Sequence, residues 1–318
     1  MPLAVTENII EIVGNTPLLH LKRFSAPPQA AIYAKLEYLN PGGSVKDRAA
    51  LGMIVAAEQD GHLKPGSTII EPTAGNTGIG LALIGVARGY RVILCVPEGY
   101  AKEKMQIMAA FGGEIQLIPK DAGMKGAIDR AHELAREIPD SFVPQQFDNP
   151  ANSDFHEATT GREIVEQMDG RIDGIAMGAG TAGTFSGVAR AVKKVNPNAH
   201  CVLVEPEGSI FGGGSPGSHK VEGIGQSQFI PENLDRTVID EVMMITDHES
   251  FVTVRRLAAT EGVLAGGSAG AAVAAAVRIA KRLGEGKRIV TLIPDSAERY
   301  ISQGIFEEDL EPRSQTLE

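Results

Sequence analysis

A lysine close to a predicted helix start is the first residue that could do chemistry. Lys46 lies in NPGGSVKDR, residues 40–48, where an Asn-Pro-Gly-Gly turn precedes a helix that begins near Ser44. The positive end of the helix dipole disfavours an ammonium group there. The pKa of such a lysine is lowered, so that its free amine could form a Schiff base. The alternative interpretation is an exposed lysine paired with Asp47.

A second group of polar residues lies in EPTAGNTGIG, residues 71–80, between the strand STIIE and a helix. In parallel α/β sheets, ligands bind at the carboxyl ends of strands, where this turn falls. Thr73, Asn76 and Thr77 supply hydrogen-bonding groups, and the glycines let a ligand approach the backbone. The amides at the helix start suit a substrate carboxylate. The alternative is a helix cap with closely packed glycines.

The third segment is GAGTAGTFSG, residues 178–187, which also connects a strand to a helix. Its backbone amides and the hydroxyls of Thr181 and Thr184 would bind an anion, above all a phosphate. The same segment fits GxGxxG, and Glu205 follows at the end of the next strand, as a dinucleotide-binding fold requires. From these residues alone, a monophosphate site and an NAD site both remain open. A tight strand-to-helix turn without a ligand is the third alternative.

Two further polar residues stand where a helix starts and where a strand ends. Ser268, in LAGGSAGAAVAAA, precedes an Ala-rich helix and could be its N-cap. Asp295 follows the strand IVTLI in PDSAERY, and it could cap the next turn. Neither residue indicates a function by itself.

The elements that must position these residues alternate between short apolar strands and amphipathic helices. This alternation predicts an α/β protein with parallel sheets covered by helices on both faces. A Pro/Asn-rich stretch at 144–155 divides the chain into a smaller α/β domain, 1–150, and a larger one, 151–318. The predicted strands are Ala31–Leu39, Ser67–Glu71, Arg91–Val96, Glu114–Ile118, Gly174–Met177, His200–Val204 and Arg288–Leu292.

Composition excludes several classes of function. The 318 residues include 30 basic and 40 acidic side chains, for a net charge of -10, which argues against binding nucleic acid or an anionic membrane. No segment approaches the roughly 20 apolar residues that span a bilayer, and no signal peptide is apparent, so we expect a cytoplasmic protein. The two cysteines lie in apolar runs and are expected to be buried thiols, and we expect no metal site.

Together and in this order, the motifs resemble the cysteine synthase (O-acetylserine sulfhydrylase) and cystathionine β-synthase family of pyridoxal-phosphate (PLP) enzymes. The resemblance runs from VGNTPLLHL, residues 13–21, to PDSAERY, residues 294–300. It implies the tryptophan synthase β-like fold, with two three-layer domains, parallel or mixed sheets and an early segment that can cross to the other domain. It also implies a homodimeric transferase, and it favours PLP over NAD, which stays a remote alternative.

The resemblance further implies a role for each site residue. Lys46 forms the Schiff base with PLP and moves the substrate α-proton, Asn76 contacts the phenolic oxygen of PLP, and Ser268 contacts its pyridine nitrogen. Gly223 lines the reactive face of the cofactor. The residues implied to hold the phosphate are Gly180, Thr181, Ala182, Gly183 and Thr184. Those implied to bind the substrate carboxylate, or to close over it, are Thr73, Ala74, Asn76, Thr77 and Gln146.

The implied reaction is replacement of the β-substituent of O-acetyl-L-serine. A neutral Ser268 leaves the PLP ring a weaker electron sink than an aspartate would, which favours elimination over transamination. Acetate leaves, and sulfide adds to give cysteine, or homocysteine adds to give cystathionine. Relatives usually carry TSGNTG and GTGGT where this chain has Ala74 and Ala182. The TAGNTG form, with VEPEGS and HKVEGIG, is similar to bacterial relatives that use homocysteine.

Overall fold

A computed structural model describes residues 5–99 and 102–306, and its strands confirm the predicted α/β class. All seven predicted strands are present, although the first ends at Leu36 and a 3-10 turn covers Glu37–Leu39. The sequence patterns did not indicate three further short strands. The ten strands in the described residues are β1 (Leu18–His20), β2 (Ala31–Leu36), β3 (Thr68–Pro72), β4 (Arg91–Pro97), β5 (Glu114–Ile118), β6 (Ser141–Phe142), β7 (Gly174–Gly178), β8 (His200–Pro206), β9 (Glu241–Ile245) and β10 (Arg288–Ile293).

Helices cover both faces of the sheets formed by these strands. Within residues 5–99 and 102–306 they are α1 (Lys46–Gln59), α2 (Asn76–Ala87), α3 (Lys102–Ala110), α4 (Gly123–Glu137), α5 (Pro150–His156), α6 (Arg162–Gln167), α7 (Gly183–Val195), α8 (Asp247–Glu261) and α9 (Gly267–Leu283). A turn of π-helix, Glu157–Gly161, joins α5 to α6. Over the described part of the chain, no helix combines the length and the apolar composition that a membrane span requires.

The larger sheet has six strands in the order β1-β2-β10-β7-β8-β9, parallel throughout except for β1. Alternate residues of β8 point to opposite faces. Val202 and Val204 belong to the apolar core that includes α9, whereas Cys201 and Leu203 belong to the core that includes α7. Burial of both faces explains why these strands read as nearly continuous apolar runs.

The smaller sheet is parallel, with four strands in the order β5-β4-β3-β6. From β4, Val92 and Leu94 pack toward α1 and α2, while Ile93 and Cys95 pack toward α4. Cys95 and Cys201 are therefore buried free thiols, as predicted. Burial raises the pKa of Cys95 to about 11 and that of Cys201 to about 12.

The first two strands do not join the sheet that follows them in sequence. Residues 18–36 form β1 and β2 in the six-stranded sheet, where β2 is the parallel partner of β10. All strands of the four-stranded sheet come from residues 68–142. The boundary at residues 150 and 151 stays a prediction.

A buried cluster of four charges holds α1 against the six-stranded sheet. Arg48 donates to Glu37 at 2.7 and 2.9 Å and to Glu163 at 2.7 and 2.8 Å, and Lys35 donates to Glu163 at 2.7 Å. Burial by itself would raise the pKa of Glu163, but the hydrogen bonds and charges of Arg48 and Lys35 outweigh it and lower that pKa to about 2. Because Glu37 follows β2 and Glu163 lies in α6, the cluster fixes the first turn of α1, where Lys46 lies.

Candidate active site

The carboxyl ends of strands from both sheets surround one cavity of about 500 Å³. A smaller cavity of about 30 Å³, which shares Lys46, Gly180, Thr181 and Gly223 with the first, also has Ala182 and Thr184 in its lining. Gly183 lines neither cavity. The predicted site residues that line the large cavity are Lys46, Thr73, Ala74, Asn76, Thr77, Gln146, Gly180, Thr181, Gly223 and Ser268.

Lys46 is the first residue of α1 and reaches this cavity. Burial lowers the pKa of its ammonium group, and the charge of Asp295 opposes this effect. Among the described residues no ion pair joins Lys46 to Asp47: Oδ2 of Asp47 accepts the amide of Gly42 at 2.6 Å, and its Oδ1 has no hydrogen-bond partner. Gly80 of α2 allows the close approach of α1, since a Cβ built there would lie 2.9 Å from the carbonyl oxygen of Lys46.

The loop after β3 brings predicted substrate residues together. Thr77 donates its hydroxyl to Oε1 of Gln146 at 2.6 Å. The backbone amides of Gln145 and Gln146 donate to the buried carboxylate of Glu71, at the end of β3, at 3.1 and 3.3 Å. Burial raises the pKa of Glu71 to about 7, against the lowering effect of those amides. Glu71 thereby holds Gln146 beside the start of α2.

The loop between β7 and α7 has the backbone of an anion site. The first amides of α7 have no intrahelical acceptor, so they can bind an anion at the positive end of the helix dipole. A Cβ on Gly180 would collide with the carbonyl oxygen of Gly223, and one on Gly183 would collide with the side chain of Asn152. Ala182 has a φ of 65°, in the left-handed region, which glycine adopts more readily than alanine. These residues therefore fit the phosphate of PLP.

Two neighbours orient the hydroxyls of this loop. The Asn152 amide donates to Oγ1 of Thr181 at 3.1 Å, and Nε2 of His156 lies 3.1 Å from Oγ1 of Thr184. Burial, and then the charges of Arg48 and Lys46, lower the pKa of His156, so its ring is neutral at pH 7. No local pattern indicated Asn152 or His156, because both lie on α5, distant from the loop along the chain.

Ser268 is not a helix N-cap, and Glu205 is not free to bind the ribose of a dinucleotide. Ser268 is the second residue of α9 and lines the cavity, while Gly266 is the N-cap, so the N-cap interpretation of Ser268 is wrong. The buried carboxylate of Glu205 accepts the amides of Phe211 and Gly212 at 3.1 and 3.2 Å. Its acceptors are thus used inside the protein rather than offered to a ribose.

Several cavity residues were missed by sequence analysis or left without a role. Asp295 accepts from the amide of Asn76 at 2.6 Å and from the hydroxyl of Tyr300, and Ser296 instead caps the following turn. Lys104 of α3 lies 4.4 Å from the centre of the Tyr300 ring and donates to Glu222 at 2.5 Å. These contacts join segments that are distant in sequence and therefore leave no local pattern.

A partly buried lysine near a helix start that could bind an anion, between two α/β sheets, is the arrangement expected of a PLP enzyme of fold type II. The chain belongs to the family described as pyridoxal-phosphate dependent enzyme, whose model matches residues 9–295. The family assignment favours the phosphate interpretation of the loop over the dinucleotide one.

Three individual relatives are similar to the chain over nearly its whole length. The chain is 47% identical over 305 residues to a cysteine synthase of Staphylococcus aureus (strain N315), covering 95% of this chain and 98% of the relative. It is 48% identical over 305 residues to an O-acetylserine dependent cystathionine β-synthase of Bacillus subtilis (strain 168), covering 96% and 99%. The crystal structure of an O-acetylserine dependent cystathionine β-synthase from Helicobacter pylori superposes with a TM-score of 0.89 at 44% identity, covering 96% of this chain and 100% of that one.

Proposed function

We propose that this PLP enzyme replaces the acetate of O-acetyl-L-serine with a sulfur nucleophile, sulfide being the first candidate. One observation carries the proposal: Lys46, the loop at Thr73–Thr77 and the loop at Gly180–Thr184 converge on adjoining cavities. A cysteine synthase at 47% identity over nearly the whole chain supports the same substrate.

The cofactor is held by both halves of the site in this proposal. The amides and hydroxyls of residues 180–184 bind the phosphate, Ser268 contacts the pyridine nitrogen, and Asn76 contacts the phenolic oxygen. Gly223 leaves the reactive face open because it has no side chain. When bound, PLP withdraws electrons from the substrate α-carbon, and the neutral Ser268 limits how far it does so.

The substrate carboxylate binds at the start of α2. Thr73, Ala74 and Thr77 line the cavity beside amides that favour an anion, and Gln146, which is hydrogen-bonded to Thr77, closes over the carboxylate. Ala74 supplies only its backbone amide, because its methyl group replaces the hydroxyl of relatives with TSGNTG. The hydrogen bond from Thr77 to Gln146 holds these two side chains together at this site.

Lys46 moves the proton in the proposed reaction. Its lowered pKa favours the neutral amine, which takes the proton from the α-carbon as acetate leaves with the electrons of the Cβ–O bond. The sulfur of HS⁻, or of the homocysteine thiolate, then bonds to the β-carbon, and Lys46 returns the proton to the α-carbon. The substrate thus gains a C–S bond and loses acetate.

Homocysteine is the second candidate nucleophile. The ion pair of Lys104 and Glu222 lines the same cavity, and in this proposal its two charges exchange partners with the carboxylate and ammonium groups of an amino acid. Relatives from two bacteria are named for the homocysteine-dependent reaction. This candidate shares every step up to the departure of acetate.

The visible absorption spectrum of the purified enzyme with PLP tests the proposal. We expect an absorption band that changes when O-acetyl-L-serine is added, with release of acetate. Lys46→Ala should lose the band, whereas the control Lys125→Ala, at a side chain 85% exposed, should keep it. An unchanged spectrum in Lys46→Ala would contradict the assignment. Competition of sulfide with homocysteine, with mass spectrometry of the product, identifies the nucleophile.

We also propose that the enzyme is a cytoplasmic homodimer whose two domains divide near residue 150. The family resemblance supports the homodimer, and the composition supports the location. Light scattering coupled to size-exclusion chromatography tests the oligomeric state, since one chain has a mass of 33.6 kDa. Limited proteolysis near residues 144–155 tests the boundary.

A further inference from the structure

The side-chain amide of Asn76 is held at both ends. Its Nδ2 donates to Oδ2 of Asp295 at 2.6 Å, and its Oδ1 accepts from Nη1 of Arg299. The two ends of an amide have nearly the same shape, so only their partners decide its orientation. A guanidinium can only donate, and Oδ2 of Asp295 already accepts from the hydroxyl of Tyr300. A flipped amide would place donor against donor and oxygen against oxygen.

This orientation decides what Asn76 offers to the cavity. The amide nitrogen has two N–H bonds, and Asp295 uses one of them. Asn76 lines the cavity, so the second N–H is available to an acceptor bound there. If the amide were reversed, it would present an oxygen lone pair to that acceptor and repel it. The phenolic oxygen of PLP is such an acceptor.

The two partners are themselves fixed by neighbouring segments. Arg299 donates through Nη2 to the carbonyl of Gly42, in the turn that precedes α1 and Lys46. Asp295 is 2% exposed, and Gly266 leaves room for its Oδ1, which a Cβ there would strike. The segment from Asp295 to Arg299 therefore touches the starts of three helices, α1, α2 and α9.

We propose that Arg299 and Asp295 are positioning residues that orient the Asn76 amide so that it donates to the phenolic oxygen of PLP. The inference rests on the role proposed above for Asn76. It adds Arg299, which does not line the cavity, and Asp295, which lines the cavity and whose charge also acts on Lys46. Neither residue has been given a role in the proposed reaction.

Two readouts separate positioning from a general structural role: the apparent PLP dissociation constant of the apoenzyme and the visible absorption maximum of the PLP-bound enzyme. Arg299→Met should weaken PLP binding about 2- to 10-fold, as expected for the loss of one hydrogen bond. It should also shift the absorption maximum in the same direction as Asn76→Ala. Arg299→Lys keeps a hydrogen-bond donor, so its absorption maximum should lie between those of the wild type and Arg299→Met. Glu298→Gln, exposed on the same 3-10 turn, is the matched control and should change neither readout.

A double-variant cycle decides the route of the effect. Arg299→Met with Asn76→Ala should match Asn76→Ala alone, because the oriented group is already absent. Additive shifts, or an Arg299→Met enzyme with unchanged spectrum and affinity, would overturn the inference. If Arg299→Met does not fold, the isosteric Asp295→Asn decides in the same cycle: the part of its shift that disappears in the Asn76→Ala background passes through the amide, and the part that remains is the direct effect of Asp295 on Lys46. An Asn76→Ala enzyme with the PLP affinity and absorption maximum of the wild type would refute the inference. The proposed function would still be tested separately by the absorption band of Lys46→Ala.

Discussion

Replacing Arg48 by methionine is expected to destabilise the enzyme severely, because Arg48 neutralises two buried carboxylates. Its side chain is 1% exposed, and those of Glu37 and Glu163 are 0% and 7% exposed. With Lys35 the cluster contains two cations and two anions. Arg48→Met would leave one carboxylate without a cation and remove four hydrogen bonds of 2.7–2.9 Å.

The size of the effect follows from burial. Removing one partner of a buried ion pair costs about 3–5 kcal/mol, because a charge remains in a medium that solvates it poorly. The exposed pair Arg91–Glu114 is the matched control, with two hydrogen bonds of 2.8 Å but side chains 50% and 52% exposed. Arg91→Met should cost at most about 1 kcal/mol, since water screens such a pair. Burial therefore predicts that Arg48→Met lowers the free energy of unfolding several times more than Arg91→Met does.

Urea unfolding of the PLP-bound enzyme, followed by circular dichroism because the chain has no tryptophan, measures both variants. If Arg48→Met does not fold, Arg48→Lys provides the measurement, since lysine keeps the charge but loses the two-pronged geometry. A loss for Arg48→Met no larger than that for Arg91→Met would refute the argument from burial.

Three further predictions concern single residues. Gly80→Ala should lower the free energy of unfolding by about 1–2 kcal/mol and weaken PLP binding, because its Cβ would displace Lys46; Gly85→Ala, whose Cβ would meet only side chains, should leave PLP affinity unchanged in the same titration. Ala182→Gly should stabilise by up to about 1 kcal/mol in urea unfolding by relieving a left-handed backbone, and a clear loss of stability would contradict this. Burial raises the pKa of Glu71 from 4.5 to about 7, so the stability that Glu71 contributes is complete below pH 4.5 and is lost as the pH rises through 7. Glu71→Gln should therefore flatten the decline in the free energy of unfolding between pH 5 and 7. An unchanged slope would argue against this role.

The strands and the site loops could be predicted from the sequence because their signals are local. Apolar runs such as VILCV predict buried parallel strands, and polar groups at strand ends predict the loops that line the cavity. The expected PLP cofactor agrees with the family to which the chain belongs. Of the predicted site residues, Gly183 alone lines neither cavity, because it packs against Asn152.

Other features could not be predicted because they depend on contacts between distant parts of the chain. The hydrogen bond from Arg299 to Asn76 joins residues 223 positions apart in sequence, and no local sequence pattern around either residue indicates it. The strand β6 has only two residues, too few for any periodicity. The left-handed backbone of Ala182 was also invisible, since alanine ordinarily indicates a helix rather than a turn.

The central place of β10 in the six-stranded sheet has a consequence for synthesis on the ribosome. β2 emerges early, but its parallel partner β10 follows about 250 residues later, so at about 5–20 residues per second β2 waits on the order of ten to fifty seconds. The strands of the four-stranded sheet, by contrast, are contiguous in residues 68–142 and can assemble meanwhile. The nascent chain therefore carries an apolar strand with one unpaired edge throughout most of translation, which exposes residues 31–36 to aggregation until β10 is synthesised.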